Sequence, residues 1–407
     1  MVPRILKATL EESARYFPVV TVTGPRQSGK STLCRAVFAD RAYLSLEDPE
    51  LLTYALQDPR GFLNARPDGG IIDEVQRAPE LLSYLQVDVD GKRDMGRWVL
   101  TGSANLALLQ SVSQSLAGRS AVLTLLPCSL DELRAFESWP DSGSVWEAVW
   151  TGGYPAIFDR QIPPARWFAA YVRTYVERDV RQILQVGDLL AFQTFMRLAA
   201  GRTGQLLNLS GLGKDAGVSH NTAKAWLSVL EATYIAHRLP PYHANWVKRQ
   251  VKTPKLLFHD SGLVCYLLGI QSSEQLRLHP LRGAIFETWV AAEVTRARLH
   301  RGVEHPLYFY RSRDGLEVDL LVERGPDLVA VESKSGETVP GDAFAALDAL
   351  EAQLITRAAA IGTLHKVLAY AGDHRQDRTT GTVLPWSELP EFSWCEAGAD
   401  GTAPTSR

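Results

Sequence analysis

Nine residues, Gly24-Pro25-Arg26-Gln27-Ser28-Gly29-Lys30-Ser31-Thr32, constrain this chain more than any other stretch. The first eight fit G-x-x-x-x-G-K-[ST], a pattern whose meaning depends on its flanks. Before it, Val19-Val20-Thr21-Val22-Thr23 is a β-branched run that reads as a buried parallel strand. After it, Thr32 to Phe38 can continue as a helix. Strand, glycine loop and helix start are what a phosphate cradle requires, because loop N–H groups and the helix N-terminus then face an anion. In that cradle Lys30 reaches the β- and γ-phosphates of a nucleotide and the Ser31 hydroxyl serves Mg²⁺. ATP and Mg²⁺ are the expected cofactors.

Alternating strand and helix signals continue to about residue 135, the expected end of a first domain. Tyr43 to Leu46 reads as a strand, and Pro49 to Asp58 as a helix with Asp48 as its N-cap. Gly70-Ile71-Ile72-Asp73-Glu74 sets two carboxylates at a strand end, the Walker B pattern. Asp73 is expected to hold Mg²⁺ through water, and Glu74 to polarise the attacking water, since phosphoryl transfer needs positioning and charge neutralisation. Trp98 to Ser103 is a further strand ending in small polar groups. Ser103, with Thr101 next, is the candidate for sensing the γ-phosphate; the alternative is a turn residue bonded to its own backbone. Arg119 precedes the strand Ala121 to Leu125. It supplies charge to the transition state, in cis or to a neighbouring subunit, or it is a structural ion-pair residue.

A chain of 407 residues has room for two or three domains. No apolar run approaches the roughly 18 residues of a membrane span, so no membrane role is expected. The start, Met1 to Lys7, lacks the apolar centre of a signal peptide. Cys34, Cys128, Cys265 and Cys395 form no metal spacing, and a reducing, cytoplasmic setting is the simplest reading. The net charge of −3 hides an asymmetry: Arg160 to Asp260 carries 14 Lys and Arg against 6 Asp and Glu, an excess of +8 that leaves −11 elsewhere. That basic middle is either a nucleic-acid footprint or a surface with scattered cations.

Residues 136–200 read as a helical linker region. Gly152-Gly153-Tyr154-Pro155 is a turn, Arg166 to Val186 carries a helical pattern with Tyr171, Tyr175 and Val176 on its apolar side, and Phe192 to Ala200 is another helix. Arg173, Arg178 and Arg181 decorate the first of these helices. Residues 201–270 have a winged-helix cadence. Leu209 to Ala216 is a short helix weakened by two glycines. Gly217-Val218-Ser219 is the turn, and His220 to Leu230 a helix with Ala223, Trp226, Leu227 and Leu230 inward and His220, Asn221 and Lys224 outward. Tyr234 to Leu239 and Lys255 to Phe258 are the wing strands, with Lys248, Arg249 and Lys252 at a basic tip. Such a module binds DNA or serves as a protein–protein spacer.

Residues 271–395 read as an α/β domain. A helix beginning at Gly283 carries Glu287 among apolar residues. Tyr308 to Arg313, Glu317 to Glu323 and Leu328 to Lys334 are three strands. Glu332 and Lys334, two apart, share one strand face and can turn together toward Asp319. Two carboxylates can hold Mg²⁺, Lys334 can orient or deprotonate a water, and Glu287 can complete the metal shell. The alternative is a solvent-facing hairpin with no site. Residues 396–407 are small and polar, a tail expected to be flexible.

The chain resembles a prokaryotic family of AAA-type P-loop ATPases with a C-terminal domain of unknown function (number 4143), whose end resembles PD-(D/E)xK nucleases. Gly24 to Ser31, Ile71 to Gln76, Leu100 to Ser103, Leu116 to Arg119, Gly152 to Pro155, Tyr175 to Asp179, Lys255 to Leu263, Gly283 to Glu287, Glu317 to Asp319 and Glu332 to Lys334 carry the resemblance. Ser333 departs from it, standing where an aliphatic residue is usual. The implied fold class is α/β: an AAA-type P-loop NTPase parallel sheet, then a winged-helix domain, then a restriction-endonuclease-like α/β domain. The implied function is ATP binding with probable hydrolysis. The residues extend it to an ATPase acting on DNA, with or without cleavage, or alternatively an ATP-dependent switch for a protein partner in a toxin–antitoxin or defence setting. A homo-oligomer is the prior for AAA-type ATPases.

Overall fold

The computed structural model describes residues 2–92, 94–103, 112, 115–140, 143–176, 188–242, 253–356 and 362–395. They form two compact units. The first comprises Met1–Cys128 with Ala232–Tyr234 and Leu299–Gly302, and the second the remainder. The division at Cys128 falls close to the expected end of the first domain, and the middle and C-terminal segments stay together in the second unit.

In the first unit the β-branched run becomes β1 (Val19–Thr23), buried along its whole length. β2 (Tyr43–Ser45), β3 (Gly70–Asp73), β4 (Trp98–Thr101) and β5 (Ser120–Thr124) join it in a sheet of order β2-β3-β4-β1-β5. Every pairing is parallel. Parallel strands need crossovers, and the helices Lys30–Val37, Pro49–Gln57, Pro59–Asn64 and Leu81–Lys92 lie between strands in the chain. Strand side chains alternate between faces. Ile72 and Leu100 therefore pack with Leu82 and Trp98 in one core, while Ile71 and Val99 pack with Leu10 and Leu33 in another. Asp48 caps the helix Pro49–Gln57 as expected, accepting from the N–H groups of Glu50 and Leu51.

In the second unit, helices Val145–Thr151, Pro155–Asp159 and Pro164–Tyr171 precede a π-helical turn at Val172–Val176. The expected helix to Val186 is described only this far; Arg178 and Arg181 lie outside the described residues. Tyr154 gathers Trp167, Phe168 and Tyr171 around its ring. Helices Leu209–Asp215 and His220–Ala232 flank the expected turn, where Ser219 Oγ accepts from Thr222 N at 3.1 Å. Gly213 has a packing reason that propensity does not see: a Cβ there would lie 3.1 Å from that of Ala223. Trp226 packs edge-on against Phe192 and Phe195 of helix Leu189–Ala200. β6 (Ala236–Leu239) and β7 (Lys255–Phe258) pair antiparallel. The expected basic tip with Lys248, Arg249 and Lys252 lies outside the described residues.

Helix Arg282–Leu299 leads to a six-stranded sheet of order β12-β13-β11-β10-β9-β8. β8 (Tyr308–Arg311), β9 (Glu317–Arg324) and β10 (Asp327–Lys334) form an antiparallel meander. Helix Ala345–Thr356 then crosses over to β11 (Leu364–Tyr370), parallel to β10. A β12 (Gln376–Arg378) and β13 (Gly381–Pro385) hairpin closes the far edge. Residues 396–407 lie outside the described set. Among the described residues no helix is long and apolar enough to cross a membrane.

Candidate nucleotide site and a buried acidic cluster

The parallel register puts the C-terminal ends of β1, β3 and β4 side by side, so Gly24, Asp73-Glu74 and Gly102-Ser103 emerge at one edge of the sheet. The loop between β1 and the helix beginning at Lys30 is fixed by backbone shape. Gly24 has φ +141° and a Cβ there would lie 2.1 Å from the Leu125 carbonyl oxygen, so no other residue fits. Gly29, at φ +95°, turns the chain into the helix, and Leu33 N donates to its carbonyl at 2.9 Å. Arg4 clamps the loop from outside: its guanidinium donates to Ser28 O at 2.6 Å and Leu126 O at 2.7 Å.

Lys30 is buried, and its ammonium donates to Gly24 O at 3.0 Å and Pro25 O at 2.8 Å. Burial pulls its pKa down to about 8, although Glu74 and Asp73 push it back up. Ser31 Oγ donates to both oxygens of Asp73 at 3.0 Å. Thr101 and Tyr43 hydroxyls donate to the same carboxylate. Glu74 sits at φ +56°, a strained position for a non-glycine residue, at the turn leaving β3. Gln76 Nε2 donates to Glu74 and, at 3.0 Å, to Ser103 Oγ, which in turn donates to Glu74 Oε2 at 3.3 Å. Arg26 Nη1 lies 3.8 Å from Glu74 Oε1. This donor set fits a nucleotide with Mg²⁺: an ammonium resting on neutral carbonyls, a hydroxyl on an acid, and a second acid beside it. The structure thus brings Gly24 to Thr32, Asp73, Glu74, Thr101 and Ser103 together at one end of the sheet.

Arg119 is not brought there. It immediately precedes β5, at the end of the sheet opposite Gly24, since Ser120 pairs with Val19 while Thr124 pairs with Thr23. Its guanidinium makes a two-pronged bond to Asp90 at 2.6 and 2.9 Å. The expectation that Arg119 acts on this nucleotide in cis is corrected: five strand residues separate it from the phosphate loop, about 3.3 Å each.

In the second unit the register sets Asp319 of β9 beside the Glu332 end of β10, and Ser333 N donates to Asp319 Oδ2 at 2.8 Å. Lys334 Nζ donates to Glu332 Oε1 at 2.7 Å. Glu332 Oε2 is buried without a hydrogen-bond partner. Glu287 comes in from its helix, so the predicted residues converge. The arrangement nevertheless differs from a metal shell. Lys255 of β7 is 1% exposed. Its ammonium lies 2.7 Å from Glu287 Oε1, 2.7 Å from Glu317 Oε1 and 3.8 Å from Asp319 Oδ1. Among the described residues no group of three or more His, Cys, Asp or Glu is placed to hold a metal ion. The expected metal on Glu287, Asp319 and Glu332 therefore does not fit the side chains as they stand, because an ammonium occupies their midst. Burial, then Asp319, pushes Glu287 up to about 8 and Glu332 up to about 7. Burial also raises Asp319 against the pull of Lys255.

Tyr43, Gln76, Arg4, Lys255 and Glu317 carry contacts that the sequence did not announce. Gln76 stood two residues past Glu74, and Lys255 opened a strand otherwise made of apolar residues, where a buried cation needs an acid.

Residues 16–134 match an AAA domain, residues 142–274 a domain of unknown function (DUF8612), and residues 282–389 another (DUF4143). Uncharacterized proteins of Mycobacterium tuberculosis and Mycobacterium bovis are each 31% identical over 376 residues, covering 90% of this chain and 80% of theirs. A solved structure, the Walker-type ATPase of Pyrococcus abyssi, aligns with a TM-score of 0.45 at 16% identity, covering 64% of this chain and 94% of that one.

Proposed function

We propose that this chain, which belongs to the same family as these two mycobacterial proteins, is a Mg²⁺-dependent ATP hydrolase that works on nucleic acid, a reading supported by its AAA domain match. The observation that carries the reading is the Ser31 hydroxyl on the Asp73 carboxylate, with Lys30 and Glu74 adjoining. In the working site Lys30 leaves its two loop carbonyls for the β- and γ-phosphates, whose charge offsets the penalty of burying an ammonium. Ser31 and Asp73 would hold Mg²⁺, which when bound would supply positive charge to the phosphate oxygens. Glu74 accepts from or orients the attacking water, and Gln76 and Ser103 hold its carboxylate in place.

The nucleic-acid part rests on the second unit. Two helices around a capped turn, then an antiparallel hairpin, suit a winged helix, and His220, Asn221 and Lys224 are exposed on the second helix. The +8 excess of Arg160 to Asp260 supplies the charge for phosphate contacts. A helix, a three-stranded meander, a crossover helix and a parallel strand suit a nuclease-like core, with Asp319, Glu332 and Lys334 adjoining. The buried cysteines suit a cytoplasmic setting. In a homo-oligomer Arg119 reaches a neighbour's nucleotide only by leaving Asp90.

ATP hydrolysis measured with and without single- and double-stranded DNA tests the reading. DNA-stimulated turnover is expected. Turnover indifferent to any DNA favours the second reading, an ATP-dependent switch for a protein partner.

A further inference from the structure

We propose that the ammonium of Lys255 is the resident cation of the acidic cluster, so that the cluster takes no divalent metal and instead fastens the β6–β7 hairpin to the C-terminal sheet. The inference rests on the nuclease-like reading of that sheet, which would otherwise set a metal among the same carboxylates.

The argument starts from β7. A two-stranded hairpin is marginal alone and needs an anchor. The residue that opens β7 is a lysine, and it is buried among elements that come from distant parts of the chain. Its ammonium meets Glu287 of helix Arg282–Leu299 and Glu317 of β9, each at 2.7 Å, and Asp319 stands near at 3.8 Å, beyond hydrogen-bond distance. The Phe309 ring centroid of β8 lies 5.4 Å away, a cation–π contact. Three further carboxylate oxygens are engaged, while Glu332 Oε2 has no hydrogen-bond partner. Arg311 takes the second oxygen of Glu317 at 3.1 Å, the Ser333 amide takes Asp319 Oδ2, and Lys334 takes Glu332 Oε1.

A Mg²⁺ or Mn²⁺ ion demands oxygen ligands at short range and in fixed geometry. Glu287 and Asp319 would supply them at the expense of Lys255, whose ammonium would remain buried beside a like-charged ion with Glu317 as its remaining near acid. The lysine does what a metal does in such a cluster, neutralising converging carboxylates, but it cannot polarise a water or accept a phosphate oxygen as a ligand. The same contact ties hairpin, helix and sheet into one body. A load on the hairpin is therefore passed to the sheet.

The test uses the full chain in a Lys30→Ala background without nucleotide, and counts bound Mn²⁺ from the electron paramagnetic resonance of the free ion. The expected result is no saturable uptake that Asp319→Asn removes. Lys255→Met added to Lys30→Ala frees the carboxylates and is expected to gain one saturable Mn²⁺ site that Asp319→Asn abolishes. Saturable uptake in the chain with Lys255 intact, lost with Asp319→Asn, overturns the proposal while leaving the nuclease-like reading standing. A folded Lys255→Met chain, judged by circular dichroism, that takes up no Mn²⁺ overturns both. Should Lys255→Met fail to fold, the Lys255-intact pair still decides.

Discussion

Two buried lysines, Lys30 and Lys255, each stand near two or more carboxylates, and their partners give them opposite roles. Lys30 donates to backbone carbonyls, neutral groups that give it up readily, and burial draws its pKa down to about 8. It is a cation short of an anion. Lys255 is opposed by burial too, but Glu287 and Asp319 outweigh that and raise its pKa above the ordinary value. It is a cation already matched. Proximity of lysine to acid therefore does not mark a ligand site; what matters is whether the ammonium's direct bonds go to neutral or charged groups.

The sharpest way to break this contrast is to remove each lysine. Lys30→Ala is expected to abolish ATP turnover, a loss on the order of 10²-fold or more, because the charge on the transferring phosphoryl group loses its fixed cation. Nucleotide binding and steady-state hydrolysis measure it. Lys255→Met is expected to leave ATP binding intact and to destabilise the second unit by about 3–5 kcal/mol, since it strands buried carboxylates. Urea unfolding measures it, and adding Glu287→Gln and Glu317→Gln should recover part of the loss. A loss below about 1 kcal/mol would put Lys255 with ordinary surface pairs.

Acidity probes the same cluster without mutation. Glu287 and Glu332, raised to about 8 and about 7, bind protons in the folded chain that the unfolded chain has released. Their contribution is present below the unfolded carboxyl pKa and is lost as pH rises through the folded values. The stability they carry should therefore fall from about pH 4.5 to 8, by up to about 1.4 kcal/mol per pH unit for each carboxyl still protonated in the folded chain. The facing groups are Lys255 of β7, Arg311 of β8, Glu317 and Asp319 of β9 and Lys334 of β10, cationic or acidic throughout. Below about pH 6.5 the half-buried His237 and the buried His259 stacked on it act in the opposite sense, because desolvation lowers both pKa values and acid must charge them. Thermal scans in low-salt buffers read the slope, and a rise in stability from pH 6.5 to 8 would contradict the assignment.

The smallest expected effect lies on the basic middle. Replacing Lys224, Lys248 and Arg249 together by alanine should weaken DNA binding across all sequences and flatten its dependence on salt by up to about three units of log–log slope. Unchanged affinity and slope would make the helix–turn–helix a protein-binding or spacer element.

The phosphate-loop site was legible because its determinants are local. Val19 to Thr32 contains the strand, the turn and the helix start, and Asp73-Glu74 closes a strand that composition marks as buried. The acidic cluster was half legible. Spacing of two put Glu332 and Lys334 on one face and Asp319 on the neighbouring strand, and the register agrees. Lys255 was read as the start of a wing strand, because its partners lie at Glu287, Glu317 and Asp319, distances along the chain that no periodicity reports. For Arg119 the sequence left three roles open, and the geometry disagrees with the cis role alone. The sequence shows that it precedes a strand, but which sheet end that strand start occupies depends on the parallel register with β1.

The most direct test of the account is the Glu74→Gln chain. Its backbone turn at φ +56° and its neighbours Gln76 and Ser103 stay in place, and only the charge of the carboxylate is lost. The account predicts that this variant binds ATP as tightly as the parent and turns over on the order of 10²-fold or more slowly. Parent-like steady-state hydrolysis by Glu74→Gln would contradict it, and would mean that another group handles the attacking water.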